Sequence, residues 1–331
     1  MKEKKVIVGI DVSKLTLDIC VLVDGEIESL VIENGKTPIG RFFTKLGKKH
    51  NGARILVAME NTGLYNWNLY SAVEQSGIDV YVINALHLKK SMGLVRGKND
   101  RVDAVRIATF LQLNQQDMSP SLLPDKSMRK LKLLVTHRKR LIKTRTSLRV
   151  SAKELSMFKD PELSKSVQAS TKKVVTQIEK EILAVEKTIN ELINSCQEMD
   201  HKFKLVTSVP GVGKVLGWEL LIKTDLFRAI SDPRKLACYA GVVPFEFSSG
   251  TSVLRKPRVS VYADRALKKL LHMAALRVIQ LDGDLQKYYL RKVAEGKNKM
   301  SVINALRNKI VARVSSAINN NRMYQQNLVM S

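Results

Sequence analysis

The sequence predicts a mixed-sheet α/β domain followed by a mostly helical remainder, and three observations carry that prediction. Over roughly the first hundred residues, Val- and Ile-rich apolar runs of strand length alternate with segments of helical spacing. After a Ser/Pro-rich stretch, Ser119-Pro120-Ser121-Leu122-Leu123-Pro124-Asp125, long helical and heptad periodicities take over. Farther on, Val209-Pro210-Gly211-Val212-Gly213-Lys214 has the form of a tight turn between two helices. Three parts are expected: residues 1–117, a linker and coiled-coil stalk over 118–200, and a C-terminal domain over 201–331.

The first strand, Val6-Ile7-Val8-Gly9-Ile10-Asp11-Val12-Ser13-Lys14, is apolar enough to be buried in a sheet and ends on a carboxylate. Residues 15–23 alternate like a second strand, Asp24-Gly25 is a two-residue turn signal, and Glu26 to Glu33 reads as an antiparallel third strand. Thr37 to Lys49 has helical spacing, with Phe42, Phe43 and Leu46 on one face. Arg54 to Glu60 is another buried strand ending in a carboxylate. A helix over about 64–76, a strand over Val80–Ile83, a short helix and a last helix from Asp100 follow. Three antiparallel strands, a helix, then alternating strands and helices match the ribonuclease H-like (RuvC-like) order.

In that order the acidic residues form a pattern. Asp11 ends the first strand, and Glu60 ends the fourth, which pairs beside the first in that fold. Asp100 and Asp103 open a helix three residues apart and share its face. Converging carboxylates repel unless cations neutralise them, and hard oxygen ligands select Mg²⁺ or Mn²⁺. Two such ions about 4 Å apart stabilise the attacking and leaving oxygens of a phosphodiester. The plainer alternative is helix capping by Asp100 and Asp103 and turn formation by Glu60.

Charge points the same way. The 331 residues include 56 Lys and Arg against 31 Asp and Glu, a formal charge of +25. Such an excess fits a polyanionic partner, nucleic acid above all. No apolar stretch of membrane-spanning length occurs and no signal peptide is evident, so a cytoplasmic protein with no membrane partner is expected. Cys20, Cys196 and Cys238 are far apart, without CxxC spacing, and the five histidines are scattered. Neither a disulfide framework nor a zinc site is expected.

From Ser127 to about Ala152 runs a very basic helix with Arg138, Lys139, Arg140 and Arg145 among its cations. With few Glu partners at i,i+4 spacing, it reads as a phosphate-tracking surface, the alternative being a solvated coiled-coil face. A helix over about 170–197 carries a heptad seam, Val175, Ile178, Ile182, Val185, Ile189, Leu192 and Cys196. The two helices pair either within one chain or across a dimer. The segment ending at Lys214 is not a Walker loop, because Ser208 and Val215 stand where Gly and Ser or Thr are required. It resembles a helix-hairpin-helix turn, in which Gly211, Gly213 and Lys214 would meet a backbone phosphate. Beyond it lie a short helix ending near Gly241, a polar loop over Phe245–Ser252, the basic Arg255-Lys256-Pro257-Arg258, and helices over about 263–280, 284–295 and 299–319. Lys14 and this basic group join the expected nucleic-acid contacts.

Together, Gly9-Ile10-Asp11-Val12-Ser13-Lys14, Met59-Glu60-Asn61-Thr62-Gly63, Lys98-Asn99-Asp100-Arg101-Val102-Asp103-Ala104, Ser208–Gly213, Tyr239–Pro244 and Ser248-Ser249-Gly250 resemble the DEDD transposases of bacterial insertion sequences, the group related to Piv DNA invertases. The resemblance covers nearly the whole chain. It implies a RuvC-like domain with a metal-binding tetrad at Asp11, Glu60, Asp100 and Asp103, and a coiled-coil middle. It also implies a C-terminal transposase domain whose serine forms a covalent link to DNA; here that serine is Ser249, with Ser248 as second choice. DNA and a structured guide RNA from the element itself are the implied partners, and a homo-oligomer, dimer or tetramer, is expected through the coiled coil. Two other functions fit the same residues: a metal-dependent RuvC-like nuclease without a covalent intermediate, and a non-enzymatic basic scaffold for nucleic acid.

Overall fold

The structure is a computed structural model and describes residues 4–74, 76–91, 100–155, 161–249 and 253–325. The side chains of Asp100, Leu155, Pro161, Leu163 and residues 245–249 and 253–258 lie outside that description. The chain divides into two compact units, Met1–Leu123 and Pro124–Ser331.

In the first unit, β1 (Lys5–Val12), β2 (Thr16–Val23) and β3 (Glu26–Glu33) form an antiparallel meander. It is followed by α1 (Lys36–Lys49), β4 (Arg54–Glu60), α2 (Trp67–Val73), β5 (Asp79–Ile83), α3 (Ala85–Ser91) and α4 (Asp100–Asn114). The sheet order is β3-β2-β1-β4-β5, with β4 parallel to both β1 and β5. That is the ribonuclease H-like arrangement. β1 lies at its centre because residues 6–10 form a continuous apolar run, as in a strand covered on both faces.

The two faces follow the period-two alternation of side chains. Val6, Val8, Ile10, Val57 and Met59 pack with Ile39, Phe43 and Leu46 of α1 and Leu69 and Val73 of α2. Ile7, Cys20, Leu22, Leu56, Ala58 and Tyr81 form the opposite face with Ala104, Ile107, Ala108 and Leu111 of α4. Gly9 lies between Ile7 and Asp11 on that second face. A Cβ added there would stand 2.3 Å from the Ala104 carbonyl oxygen and 2.4 Å from the Ala108 nitrogen. No side chain fits in that gap, so glycine is what lets the backbone of α4 rest directly on β1.

The second unit opens with α5 (Lys126–Leu155) and α6 (Pro161–Asn194), an antiparallel pair formed within the one chain. Val175, Ile182 and Ile189 of the heptad seam are buried, and Ile178, Val185 and Leu192 are half-buried. The base of this pair does not stand apart as a stalk. Met128, Leu131 and Val135 of α5 and Ile189 and Ile193 of α6 share one core with the helices that follow. Those are α7 (Gln197–Thr207), α8 (Lys214–Thr224), α9 (Pro233–Tyr239), α10 (Arg265–Ile279), α11 (Asp284–Ala294) and α12 (Lys299–Asn319). Between α9 and α10, the stretch read from sequence as a polar loop is instead an antiparallel hairpin, β6 (Phe245–Ser249) with β7 (Val253–Arg258). The alternation of Phe245 and Phe247 and a glycine at position 250 are ordinary hairpin signals that the serines obscured. Among the described residues, no helix is long and apolar enough to cross a membrane.

Candidate active site

Two of the four expected carboxylates are brought together by strand register. Ile10 of β1 pairs with Met59 of β4, so Asp11 and Glu60, the next residues on parallel neighbouring strands, stand level. Residues level on adjacent strands point to the same face about 4.8 Å apart. That face is the one α4 covers, since Asp11 shares it with Ile7 and Glu60 with Leu56 and Ala58. Both acids are half-buried.

The other two belong to α4. Asp103 directly precedes Ala104, whose carbonyl overlies Gly9, two residues from Asp11. The close approach that Gly9 permits therefore carries the start of α4 toward the same rim of the sheet. Asp103 itself turns to Arg106, whose Nη1 donates to its Oδ1 at 2.6 Å. Asp100 is the first residue of α4, and its side chain lies outside the described residues.

Sequence reasoning missed Asp18. It pairs across the antiparallel ladder with Asp11 and, in phase with Cys20 and Leu22, lies on the same face. Asp18, Asp11 and Glu60 thus form a row over β2, β1 and β4, about 10 Å from end to end at ordinary strand spacing. The alternation of Asp18 with Cys20 and Leu22, read together with a hairpin register, was the signal that could have found it. Among the described residues, no three acidic, histidine or cysteine side chains converge closely enough to hold an ion. The backbone aligns Asp11 with Glu60, and an all-oxygen set of this kind suits a hard divalent cation.

The serine candidates stand at the tip of the β6–β7 hairpin: Ser248 is opposite Leu254, and Ser249 ends β6 opposite Val253. Their side chains, with those of Arg255, Lys256 and Arg258, lie outside the described residues. The base of the hairpin is tied down by Asp264, the residue that caps α10. Its Oδ1 accepts the Leu267 amide at 2.8 Å, and its Oδ2 accepts from Lys223 Nζ at 2.7 Å and the Tyr239 hydroxyl at 3.2 Å. Its own amide donates to the Tyr239 carbonyl at 2.8 Å. Burial alone would raise the Asp264 carboxyl, but the bonds from Lys223 and Leu267 hold it below the usual carboxylate range. Burial likewise opposes the charge on Lys223, and the bond to Asp264 more than restores it.

The basic helix α5 divides. Arg138 Nε donates to Glu186 Oε1 of α6 at 2.6 Å, and its guanidinium lies 5.4 Å from the centre of the Trp218 ring. Arg145 and Arg149 both approach Glu179, at 3.5 and 2.6 Å. Lys139 pairs at 2.6 Å with Glu219 of α8, which is 1% exposed. Arg138, Lys139 and Arg145 therefore hold α5 to α6 and α8. Arg140 is exposed and has no acidic partner among the described residues, and Lys14 and Lys214 are exposed as well. The α7–α8 turn is a helical hairpin, but its glycines do different work. Gly211 is left-handed (φ 84°), and a Cβ there would meet the Ala274 carbonyl oxygen at 2.7 Å and Val278 Cγ1 at 2.6 Å. It seats the turn on α10. Gly213, exposed, precedes the first residue of α8, where backbone amides point outward.

Two family models match this chain. Residues 8–155 match a DEDD transposase model of the IS110 type, and residues 203–290 match the transposase IS116/IS110/IS902 family. The chain belongs to this transposase family. The pilin gene-inverting protein of Moraxella bovis is 25% identical over 98% of this chain and 99% of its own, and that of Moraxella lacunata is equally so. An insertion element IS116 protein of Streptomyces clavuligerus is 27% identical over 46% of this chain and 39% of its own. Among solved structures, T. thermophilus RuvC in complex with a Holliday junction substrate is 15% identical and covers 35% of this chain and 99% of that one, at a TM-score of 0.27. That likeness is too slight to argue from; the fold assignment rests on the strand order. The transposase is an enzyme of DNA recombination, its acidic domain matched by the first model and its serine hairpin by the second.

Proposed function

We propose that this transposase cuts and rejoins DNA strands with two groups of residues, the acidic tetrad of the first unit and Ser249 of the second. The observation that supports it most is the register that sets Asp11 level with Glu60 on the face under α4. A divalent ion, Mg²⁺ or Mn²⁺, held by Asp11, Glu60, Asp100 and Asp103 would supply charge neutralisation at the scissile phosphate. The serine hydroxyl attacks phosphorus, its proton passing to a neighbouring carboxylate. A bond forms from Oγ to phosphorus as the bond to the leaving strand's oxygen breaks. The hydroxyl of a second strand then displaces the serine and restores it. Lys14, Arg140, Lys214, Gly213 and the basic β7 residues Arg255, Lys256 and Arg258 track the nucleic-acid backbone.

The tetrad and the serine belong to different compact units, so a composite site completed by a second copy in a dimer or tetramer would prevent cleavage before two DNA ends meet. The pairing of α5 with α6 within one chain leaves Val150, Val174 and Leu183 exposed on these helices, where a second copy could pack. A structured RNA from the element would select the DNA, in the cytoplasm.

Changing Asp11, Glu60 and Ser249 singly to Ala and assaying strand exchange tests the reading. Each variant should lose activity, by about 10²-fold or more for a residue acting in the chemical step. The wild-type protein, but not Ser249→Ala, should remain attached to cleaved DNA on a denaturing gel. Cleavage with nothing attached would instead favour water as the nucleophile, and full activity in all three variants would refute the mechanism.

A further inference from the structure

The second unit contains a buried cation with no counter-charge. Arg307 of α12 is 7% exposed, and taking a guanidinium out of water costs several kcal/mol unless an anion meets it. Among the described residues its partners are neutral. Nη2 donates to His272 Nδ1 at 2.6 Å, Nη1 makes a long contact of 3.4 Å with Asn304 Oδ1, and Nε is buried without a partner. No acidic side chain among the described residues pairs with it.

The neighbours add to the imbalance. A guanidinium can only donate, so His272 Nδ1 accepts and the ring carries its proton on Nε2, as a second outward donor. Lys268 lies one turn earlier on α10, half-buried. Burial, and then the charge of Arg307, lower the pKa of both Lys268 and His272. Beyond the bond from Arg307 to His272, three groups with donors to spare and no carboxylate partner among the described residues are thus gathered where α10 and α12 meet.

Their place in the fold gives the cluster a use. Asn304 Nδ2 donates to the Val242 carbonyl at 2.8 Å, and the Lys268 stem lies 3.6 Å from where a Cβ on Gly241 would be. Gly241 and Val242 form the turn that leads directly into β6, the strand that ends at Ser249.

We propose that Arg307, His272 and Lys268 form a binding site for one backbone phosphate of the nucleic-acid strand presented to the β6–β7 hairpin. A phosphodiester offers only acceptor oxygens and a full negative charge, matching a set whose spare groups are donors and whose net charge is positive. This rests on the strand-transfer reading above, which puts nucleic acid at that hairpin. A carboxylate from a protein partner has similar charge, but a chain of net charge +25 that belongs to a transposase family makes phosphate the fitting occupant.

The test is binding of a fluorescently labelled DNA duplex by full-length protein over a range of salt concentrations, for wild type, Arg307→Met and Lys268→Met. Each variant should bind more weakly and lower the slope of log affinity against log salt by about 1. Arg307→Met should melt no lower than wild type, because methionine fills much of the same volume without the uncompensated charge. Slopes parallel to wild type in both variants overturn the proposal; Lys268→Met, at a half-buried position, decides it should Arg307→Met fail to fold. The outcome is separable from that of the catalytic reading. Reduced slopes with no metal-dependent cleavage leave the phosphate site standing and remove the mechanism. Metal-dependent cleavage with parallel slopes does the reverse.

Discussion

Asp264 shows how one side chain can hold both flanks of a hairpin. It caps α10, ties Lys223 of α8 and the Tyr239 hydroxyl at the end of α9, and so clamps both flanks of the β6–β7 hairpin. Asp264→Asn keeps the cap and removes the charge-assisted bond to Lys223. It should cost about 1–3 kcal/mol of unfolding free energy at neutral pH, measured by urea denaturation. The sign of its pH dependence follows from the depressed carboxyl: the stabilisation is present above the unfolded pKa of about 3.9 and is lost as pH falls through the lower folded value. The gap between wild type and Asp264→Asn should therefore narrow as pH falls below about 4. A gap independent of pH would mean that Asp264 contributes through packing alone. Asp264 drew no attention in the sequence, because its partners lie 25 and 41 residues away and become neighbours only on folding.

At the scale of elements, the strands were more legible than the charges. Glu26–Glu33 and Arg54–Glu60 fold over the spans their alternation and apolar runs predict, since a two-residue turn signal and a buried run are local properties. The ion pairs of Arg138 and Arg145 were not legible, because i,i+4 counting sees only its own helix. Their acids, Glu186 and Glu179, arrive from α6. Gly211 was read as freeing an amide for phosphate, whereas its left-handed turn packs on α10, a neighbour that spacing alone does not reveal. Gly9 carries the sharpest element-scale prediction. Gly9→Ala places a methyl group 2.3 Å from the Ala104 carbonyl oxygen, so α4 must lift from β1. Stability should fall by about 1–3 kcal/mol in denaturant unfolding, as overpacked cores do. Strand exchange should fall as well, because Asp103 moves with α4. Wild-type stability and activity in this variant would mean that the position of α4 on the sheet does not matter.

For the whole molecule, the excess of positive charge and the two-unit division set the terms. A charge of +25 is too large to be absorbed by internal pairs such as those of α5, so the remainder is available to nucleic acid. The order of elements made the ribonuclease H-like sheet legible, and with it the alignment of Asp11 with Glu60. The pairing of Asp103 with Arg106 was not legible, because it depends on rotamers and not on the order of elements. Asp18, level with Asp11 across the ladder, adds a third carboxylate to the row at the rim. The most direct test is therefore titration of Mn²⁺ into the full-length protein by calorimetry, for wild type and for the double variant Asp11→Asn, Glu60→Gln. The account predicts binding in wild type that disappears in the double variant, with the fold retained by circular dichroism. An isotherm identical in the two proteins would contradict it, because the aligned carboxylates would then not be ligands at all.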